Sequence, residues 1–288
     1  MISSSLEFLR CVKCGGKLEL DSFESGKEIE EGILQCKKCN LEFPIIQKIP
    51  ILWDNFSKYL SSRRILGGKL YKLSSSPKLK NFVKKSLNAK DIDRSNLEEK
   101  WARIYQNSKT SKFYSIIKKN LDSLPSSKLV LEHGCSIGII TSHLANSCEN
   151  VFGVDRSFSA IQIAKKQFKP NLDYFVADSL SPVFGKLQFD LVLALNVLEI
   201  IEPKVLLKSI SRQITKGYFV ISDPYDFDRG PSSVKNPLDA SSLRTNLKNS
   251  GFKISHSTIK PSFIPWNLKI NPRATLNYKV DLVISEKS

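Results

Sequence analysis

The stretch Lys128–Asn146, KLVLEHGCSIGIITSHLAN, constrains the fold of this chain more than any other. Leu129, Val130 and Leu131 read as a buried strand, and Glu132 follows. Gly134 and Gly138 bracket Cys135, Ser136 and Ile137, after which Ile139, Ile140 and Leu144 keep helical spacing. A strand that enters a helix through a glycine turn lets a ligand approach the backbone and lie over the helix N-terminus, where free N–H groups point outward. The next strand, NVFGVD, ends in Asp155, 21 positions after Gly134. A carboxylate there can accept hydrogen bonds from a ribose diol at the neighbouring strand tip.

The same strand–helix rhythm continues to the C-terminus and predicts an α/β domain with a doubly wound, mostly parallel sheet. Strands are expected at 173–177, 189–195 and 217–222, and helices at 160–168, from Pro203, and at 241–250 up to Gly251. Phe252–Lys260 and Tyr278–Glu286 are expected to close the sheet as a hairpin, with a long excursion between them carrying Trp266 and Arg273. Gly134-Cys135-Ser136-Ile137-Gly138 also spells G-x-S-x-G, the nucleophile elbow of a hydrolase. No strands of the main sheet precede it, and a ribose-type acid follows, so Ser136 as nucleophile is the weaker alternative. For a nicotinamide site, Ser136 stands where a central glycine is needed.

The set LEHGCSIG, VFGVD, FVADS and FDLVLALNVLE resembles the class I S-adenosylmethionine-dependent methyltransferases over roughly residues 126–288. The resemblance implies a Rossmann-like methyltransferase domain with S-adenosylmethionine as cofactor. Gly134, Ser136 and Gly138 would back its methionine and ribose, and Glu132 would orient the turn or meet the amino group. Asp155 would hold the ribose hydroxyls, Asp178 the adenine amino group, and Asn196 the sulfonium side. Methyl transfer needs a base only where the acceptor must lose a proton. Asp223, Tyr225 and Asp226 in SDPYDF, Glu199 and His133 are the candidates, and none is singled out. Cys135 and Cys148 read as small core fillers, and His143 and His256 as packing or surface residues.

Residues 1–53 hold Cys11-x2-Cys14 and Cys36-x2-Cys39, with 21 residues between the pairs. Two such knuckles supply a thiolate tetrahedron, the donor set of a closed, structural zinc site. A unit this small cannot bury enough apolar surface to fold unaided, so chelation is expected to unfold residues 1–53 before the rest. Pro50 in the closing strand suggests an edge. The words LRCVKCGGKLEL and EGILQCKKCNLEFPIIQKIPILW are similar to the zinc-ribbon family that includes the activator subunit of tRNA and release-factor methyltransferases. That similarity implies a protein partner at the ribbon.

Between ribbon and sheet, residues 54–125 read as a basic helical linker or cap. Of the net charge of +16, residues 58–120 carry +13, from 17 Lys and Arg against four acids. Leu79, Phe82, Val83 and Leu87 share one helical face, and Ser95–Glu98 reads as a capping box. The piece 63–76, with Gly67-Gly68 and three serines, reads as a hinge or loop. The charge points to a phosphate-rich partner such as RNA, with Phe82, Trp101, Tyr105, Phe113 and Tyr114 available to stack on bases; the alternative is a solvated linker. The longest apolar run, 191–201, is too short to span a bilayer, and the cysteine usage suits a reducing compartment. A cytoplasmic methyltransferase is therefore expected, acting on RNA or another translation-linked target. The alternatives are a small-molecule methyltransferase or a non-catalytic cofactor-binding scaffold.

Overall fold

The structure, a computed structural model, describes residues 1–87, 94–228 and 233–288. The ribbon forms an antiparallel meander of β1 (Glu19–Ser25), β2 (Ile29–Gln35), β3 (Glu42–Ile46) and β4 (Ile49–Leu52). Gln47 and Lys48 join β3 to β4 with φ of 50° and 68°, the left-handed pair whose twist matches a tight hairpin. Helices α1 (Phe56–Ser61), α2 (Arg64–Leu73), α3 (Pro77–Ser86), α4 (Ser95–Asn107) and α5 (Lys112–Leu121) follow. From β5 (Leu129–His133) the chain alternates as expected through α6 (Ile139–Leu144), β6 (Asn150–Asp155), α7 (Phe158–Ala164) and β7 (Leu172–Ala177). It continues with β8 (Leu191–Leu195), α8 (Pro203–Gln213), β9 (Gly217–Asp223), α9 (Ala240–Asn249), β10 (Lys253–Ile254), β11 (Ile264–Asn271) and β12 (Ala274–Lys287).

By packing, the chain forms two units. The first comprises Met1–Arg103, Ser136–Gly138 and Val154–Gly185. Its strands run β1-β2-β3-β4-β7. β4 and β7 are parallel, with Ile51 opposite Val176 and Leu52 opposite Ala177. Pro50 therefore does not mark an edge: it lies opposite Ile45 of β3, and the ladder to β7 begins one residue later, so its missing N–H is not required there. At the other end of β7, Lys165 binds both Asp173, at 2.7 Å, and Glu28, all three side chains being nearly inaccessible. Removing one member of such a buried ion group strands the others, which ties the ribbon to β7 strongly.

Three expectations for the helical segment are corrected in this unit. The 63–76 piece is largely the helix α2, not a hinge. Gly67 is there because a Cβ would meet Leu87 Cδ2 at 2.4 Å, so its role is close packing. Ser95 does not open a capping box. It is already in α4, and its Oγ accepts from the Leu66 N–H in the first turn of α2, while Glu98 binds Arg63. Phe82 stacks on Phe56 at 5.5 Å, so it faces protein. Asn88, Asp91 and Asp93 lie outside the described residues.

The second unit comprises Ile104–Cys135, Ile139–Gly153 and Lys186–Ser288. Its strand order is β5-β8-β9-β12-β10, with β11 also on β12. β5, β8 and β9 are parallel, and β12 runs antiparallel to β9. The α/β class with mostly parallel central strands is as expected. β8 is buried along its whole length, the mark of a strand covered on both faces. The C-terminal excursion is not loose: Ile264 to Asn271 pairs with the first half of β12, and β10 keeps only two pairs with its far end. Alternating apolar residues on β11 (Ile264, Trp266, Leu268) drive this, all three being buried. Trp266 stacks with Tyr105 and Phe113 at 6.0 and 5.1 Å, which removes both from the set available to bases. Among the described residues, no helix is long and apolar enough to cross a membrane.

Candidate cofactor and metal sites

The metal site is built from two knuckles with the same backbone plan. The Gly15 N–H donates to the Cys11 carbonyl at 2.8 Å, and the Asn40 N–H donates to that of Cys36 at 2.8 Å. Gly15 (φ 70°) and Asn40 (φ 56°) supply the left-handed turn in each. The four Sγ atoms of Cys11, Cys14, Cys36 and Cys39 lie within 4.8 Å of one another, two pairs at 3.4 Å. A tetrahedron with Zn–S bonds of about 2.3 Å needs sulfurs ~3.8 Å apart, so the set fits one zinc ion and leaves no open position. A Cβ on Gly16 would meet Cys36 Sγ at 3.2 Å, so glycine keeps that space clear. Burial pushes the Cys36 thiol up, but hydrogen bonds from Cys14 and from the Cys39 and Lys38 N–H groups outweigh it and hold it at about 7. The knuckle amides pull toward the thiolate, although burial pushes the Cys11 thiol up to about 12 and Cys14, hydrogen-bonded to Cys36, is also raised.

The first unit carries four of the sequence-derived cofactor residues. Asp155, at the end of β6, accepts the Ser136 N–H at 2.9 Å and the Ser157 N–H at 2.8 Å. This carboxylate therefore joins the glycine turn to the strand tip. Burial pushes it up and Glu98 adds to that; the Ser157 and Ser136 N–H groups and Arg156 pull it back. Ser136 is left-handed (φ 49°), a conformation costing about 1–3 kcal/mol that clusters at functional turns. Gly138 (φ 74°) has no room for a side chain, because a Cβ would meet Tyr174 Oη at 2.3 Å. Asp178 is exposed, its Oδ1 accepting the Leu180 N–H at 2.8 Å. The loop beyond it is held by the ribbon, through the Arg10 N–H donated to the Val183 carbonyl at 2.7 Å.

The second unit carries the others. Glu132 is buried and accepts a hydrogen bond from the Thr141 hydroxyl of α6. Gly134 (φ 67°) lies against Val197, whose Cγ1 would be 2.4 Å from a Cβ. Asn196 is also left-handed (φ 55°); its N–H donates to the Ser222 carbonyl, and its Oδ1 accepts the Ser222 hydroxyl at 2.9 Å. Asp223 has no exposed surface and accepts the Leu198 and Tyr225 N–H groups at 3.0 and 2.8 Å, so it braces two strand tips. The Tyr225 hydroxyl donates to Asp281 at 2.7 Å, and burial together with that carboxylate pushes its pKa up. Asp281 in turn takes Arg244 Nη1 at 2.6 Å. Glu199 is half-buried beside the β8 tip. The Arg244–Asp281 pair escaped the sequence reading, although an acid inside the apolar run Val280–Ile284 signals a buried partner.

Residues 131–221 match the methyltransferase domain family. Residues 5–47 match the Trm112p-like protein family, so the chain carries a methyltransferase domain with a Trm112p-like, four-cysteine domain ahead of it. Among solved structures, magnesium protoporphyrin IX methyltransferase from Synechocystis PCC 6803 with bound SAH is 17% identical. It covers 68% of this chain and 95% of its own, with a TM-score of 0.51. The complex between the Haloferax volcanii Trm112 methyltransferase activator and a methyltransferase also matches at 17% identity. It covers 66% of this chain and 96% of its own, with a TM-score of 0.53. At these identities the likeness establishes the fold. No curated protein matches the sequence significantly.

Proposed function

We propose that this chain transfers a methyl group from S-adenosylmethionine, with residues 1–53 as zinc ribbon, 54–125 as basic cap and 126–288 as catalytic domain. The observation that carries this reading is the Ser136 N–H bound to Asp155, which couples the glycine turn to a strand-end acid as a nucleoside ligand requires. Gly134, Ser136 and Gly138 would back the methionine and ribose, with Glu132 orienting the turn through Thr141. Asp155 would take the ribose hydroxyls, Asp178 the adenine amino group, and Asn196 the sulfonium side. The sulfonium supplies an activated methyl group; the chain's own residues hold the cofactor, exclude water and set the line of approach. With Asp223 and Tyr225 each engaged in bracing hydrogen bonds, the reading favours catalysis by approach geometry over a protein base.

Ser136→Ala is expected to leave SAH affinity within about threefold of the parent, since the turn uses the backbone of this residue, a change of ~0.6 kcal/mol. Calorimetry checks this, alongside an ester-hydrolysis assay. An esterase activity that disappears in this variant would overturn the reading in favour of the hydrolase.

RNA is the proposed acceptor class, supported by the basic segment and by the Trm112p-like domain. Three of the five aromatic residues no longer contribute to this support, because Phe82, Tyr105 and Phe113 pack against protein. The lysines of α3 remain: Lys78, Lys84 and Lys85 are exposed, and Lys80 is half-buried. Binding to single-stranded or looped RNA is expected to weaken by about tenfold or more between 50 and 200 mM salt. Replacing those four lysines by Gln should flatten the salt slope and leave SAH affinity unchanged, as read by filter binding and calorimetry. No RNA binding at low salt, or an unaltered slope, would favour a small-molecule acceptor.

A further inference from the structure

The second unit carries a surface that the cofactor reading leaves unused, the outer face of the β11–β12 hairpin. Residues directly opposite each other in an antiparallel pair share a face. Ile264 with Val280, Trp266 with Tyr278 and Leu268 with Leu276 form one face, which Trp266 seats on Phe113 of α5. Pro265 with Lys279, Asn267 with Asn277 and Lys269 with Thr275 form the other, and all six residues are exposed. The Lys269 N–H donates to Ser108 Oγ at 3.4 Å, so the hairpin is also tied to the segment before α5. Arg273 stands exposed in the turn between Asn271 and Ala274. From Lys279 through Lys269 to the turn, the cations span ~20 Å of strand. Between Lys253 and Val280 the sequence holds five Lys and Arg and no acid. The acid that follows, Asp281, is buried and held by Arg244. Among the described residues, none of Lys269, Arg273 and Lys279 is ion-paired with a carboxylate. Phe263 continues the outward alternation ahead of Pro265 and is 72% exposed.

We propose that this face binds a single-stranded stretch of the acceptor RNA, with phosphates along Lys279, Lys269 and Arg273 and one base on the ring of Phe263. The proposal rests on the reading that RNA is the acceptor, and it names a contact surface separate from the α3 lysines. A stripe of cations without acids suits a polyanion, whose counterions the cations displace. The same charge would serve a lipid headgroup layer or a duplex, and the other residues decide against both. A lipid surface rewards a band of apolar side chains, whereas this face offers one ring and two asparagines. A duplex has its base faces covered; a single strand presents them to an aromatic ring and leaves its base edges free for amides. Lysine and proline on an edge strand would alone only deter pairing with another sheet. The open ring beside them adds an attraction for which deterrence has no use.

The test is filter binding of a mixed-sequence, single-stranded oligoribonucleotide to the full chain, with zinc in place, between about 50 and 200 mM salt. The triple variant Lys269→Gln, Arg273→Gln, Lys279→Gln should reduce the slope of log affinity against log salt by about 2, at ~0.7 per phosphate contact. Phe263→Ala should weaken binding roughly 5- to 150-fold, the worth of one stacked base, and leave the slope unchanged. All four residues are exposed, so the thermal midpoint of each variant should match the parent's. A duplex of the same sequence should compete poorly. A triple variant with the parent's slope, a Phe263 variant with the parent's affinity, or a duplex that competes equally overturns the proposal and leaves the RNA reading to the α3 lysines. A parent that binds no RNA at low salt ends that reading and this proposal together. Retention on phosphatidylserine vesicles in place of RNA, lost in the same variants, would give the face to a lipid surface.

Discussion

Stripping the metal with a strong chelator, or replacing Cys11 and Cys36 together by Ser, is expected to unfold the whole first unit and abolish SAH binding. A structural zinc contributes about 10–16 kcal/mol of apparent binding energy in small domains, as much as a typical domain's entire net stability of roughly 5–15 kcal/mol. The sequence alone suggests that residues 1–53 melt first and leave the rest intact. The structure argues otherwise, because β4 is the sheet neighbour of β7, Glu28 shares Lys165 with Asp173, and Arg10 holds the loop after Asp178. Losing the ribbon exposes the edge of β7 and leaves a buried ion pair incomplete. Hydrogen exchange along β7, in which every second amide faces β4, measures this directly, with calorimetry in parallel. Amides that stay protected after chelation, together with undiminished SAH affinity, would show that the ribbon is an independent module.

Asp155→Ala is expected to weaken SAH binding by about 1.5–3 kcal/mol, roughly tenfold to 150-fold, through loss of charge-assisted hydrogen bonds. The variant also leaves the Ser136 and Ser157 N–H groups without their acceptor. Part of any loss could then come from a slackened turn, so Asp155→Asn separates the two contributions. Its carbonyl oxygen can still take a backbone N–H, but it lacks the charge and second oxygen needed for both hydroxyls. The expected order of affinity is parent, then Asn, then Ala, with the thermal midpoint of the Asn variant nearer the parent's. Equal SAH affinity in all three proteins would remove Asp155 from the site.

The parts of this molecule that could be read in the sequence are those encoded by neighbours along the chain. The four cysteines fall in two short knuckles, and the strand, glycine turn and helix around Gly134 occupy fewer than twenty residues, so spacing alone identifies them. Asp155 is one strand away from that turn and follows from the geometry of adjacent parallel strands. What the sequence hid depends on distant partners. The pairing of Leu52 with Ala177 joins residues 125 positions apart and has no local signal. Gly67 reads as flexibility until Leu87 is seen beside it. The basic segment reads equally as a nucleic-acid arm or a solvated linker; its aromatic residues read as free until Phe56 and Trp266 are found covering them. Glu98 gives no hint of Arg63, because a glutamate in the first turn of a helix is ordinary.

The β4–β7 pairing has a further consequence, because the ribbon and β7 belong to one polypeptide. Joining two binding surfaces by a chain turns their association into an intramolecular event, whose effective concentration is set by the length and stiffness of the connection. The two residue pairs of parallel ladder, with the Glu28–Lys165 and Arg10–Val183 contacts beside them, therefore stay closed without one molecule having to find another. The stoichiometry is fixed at one to one whatever the level of expression. A free ribbon protein of the same kind, added in excess, would have to compete for a strand edge whose occupant can never diffuse away.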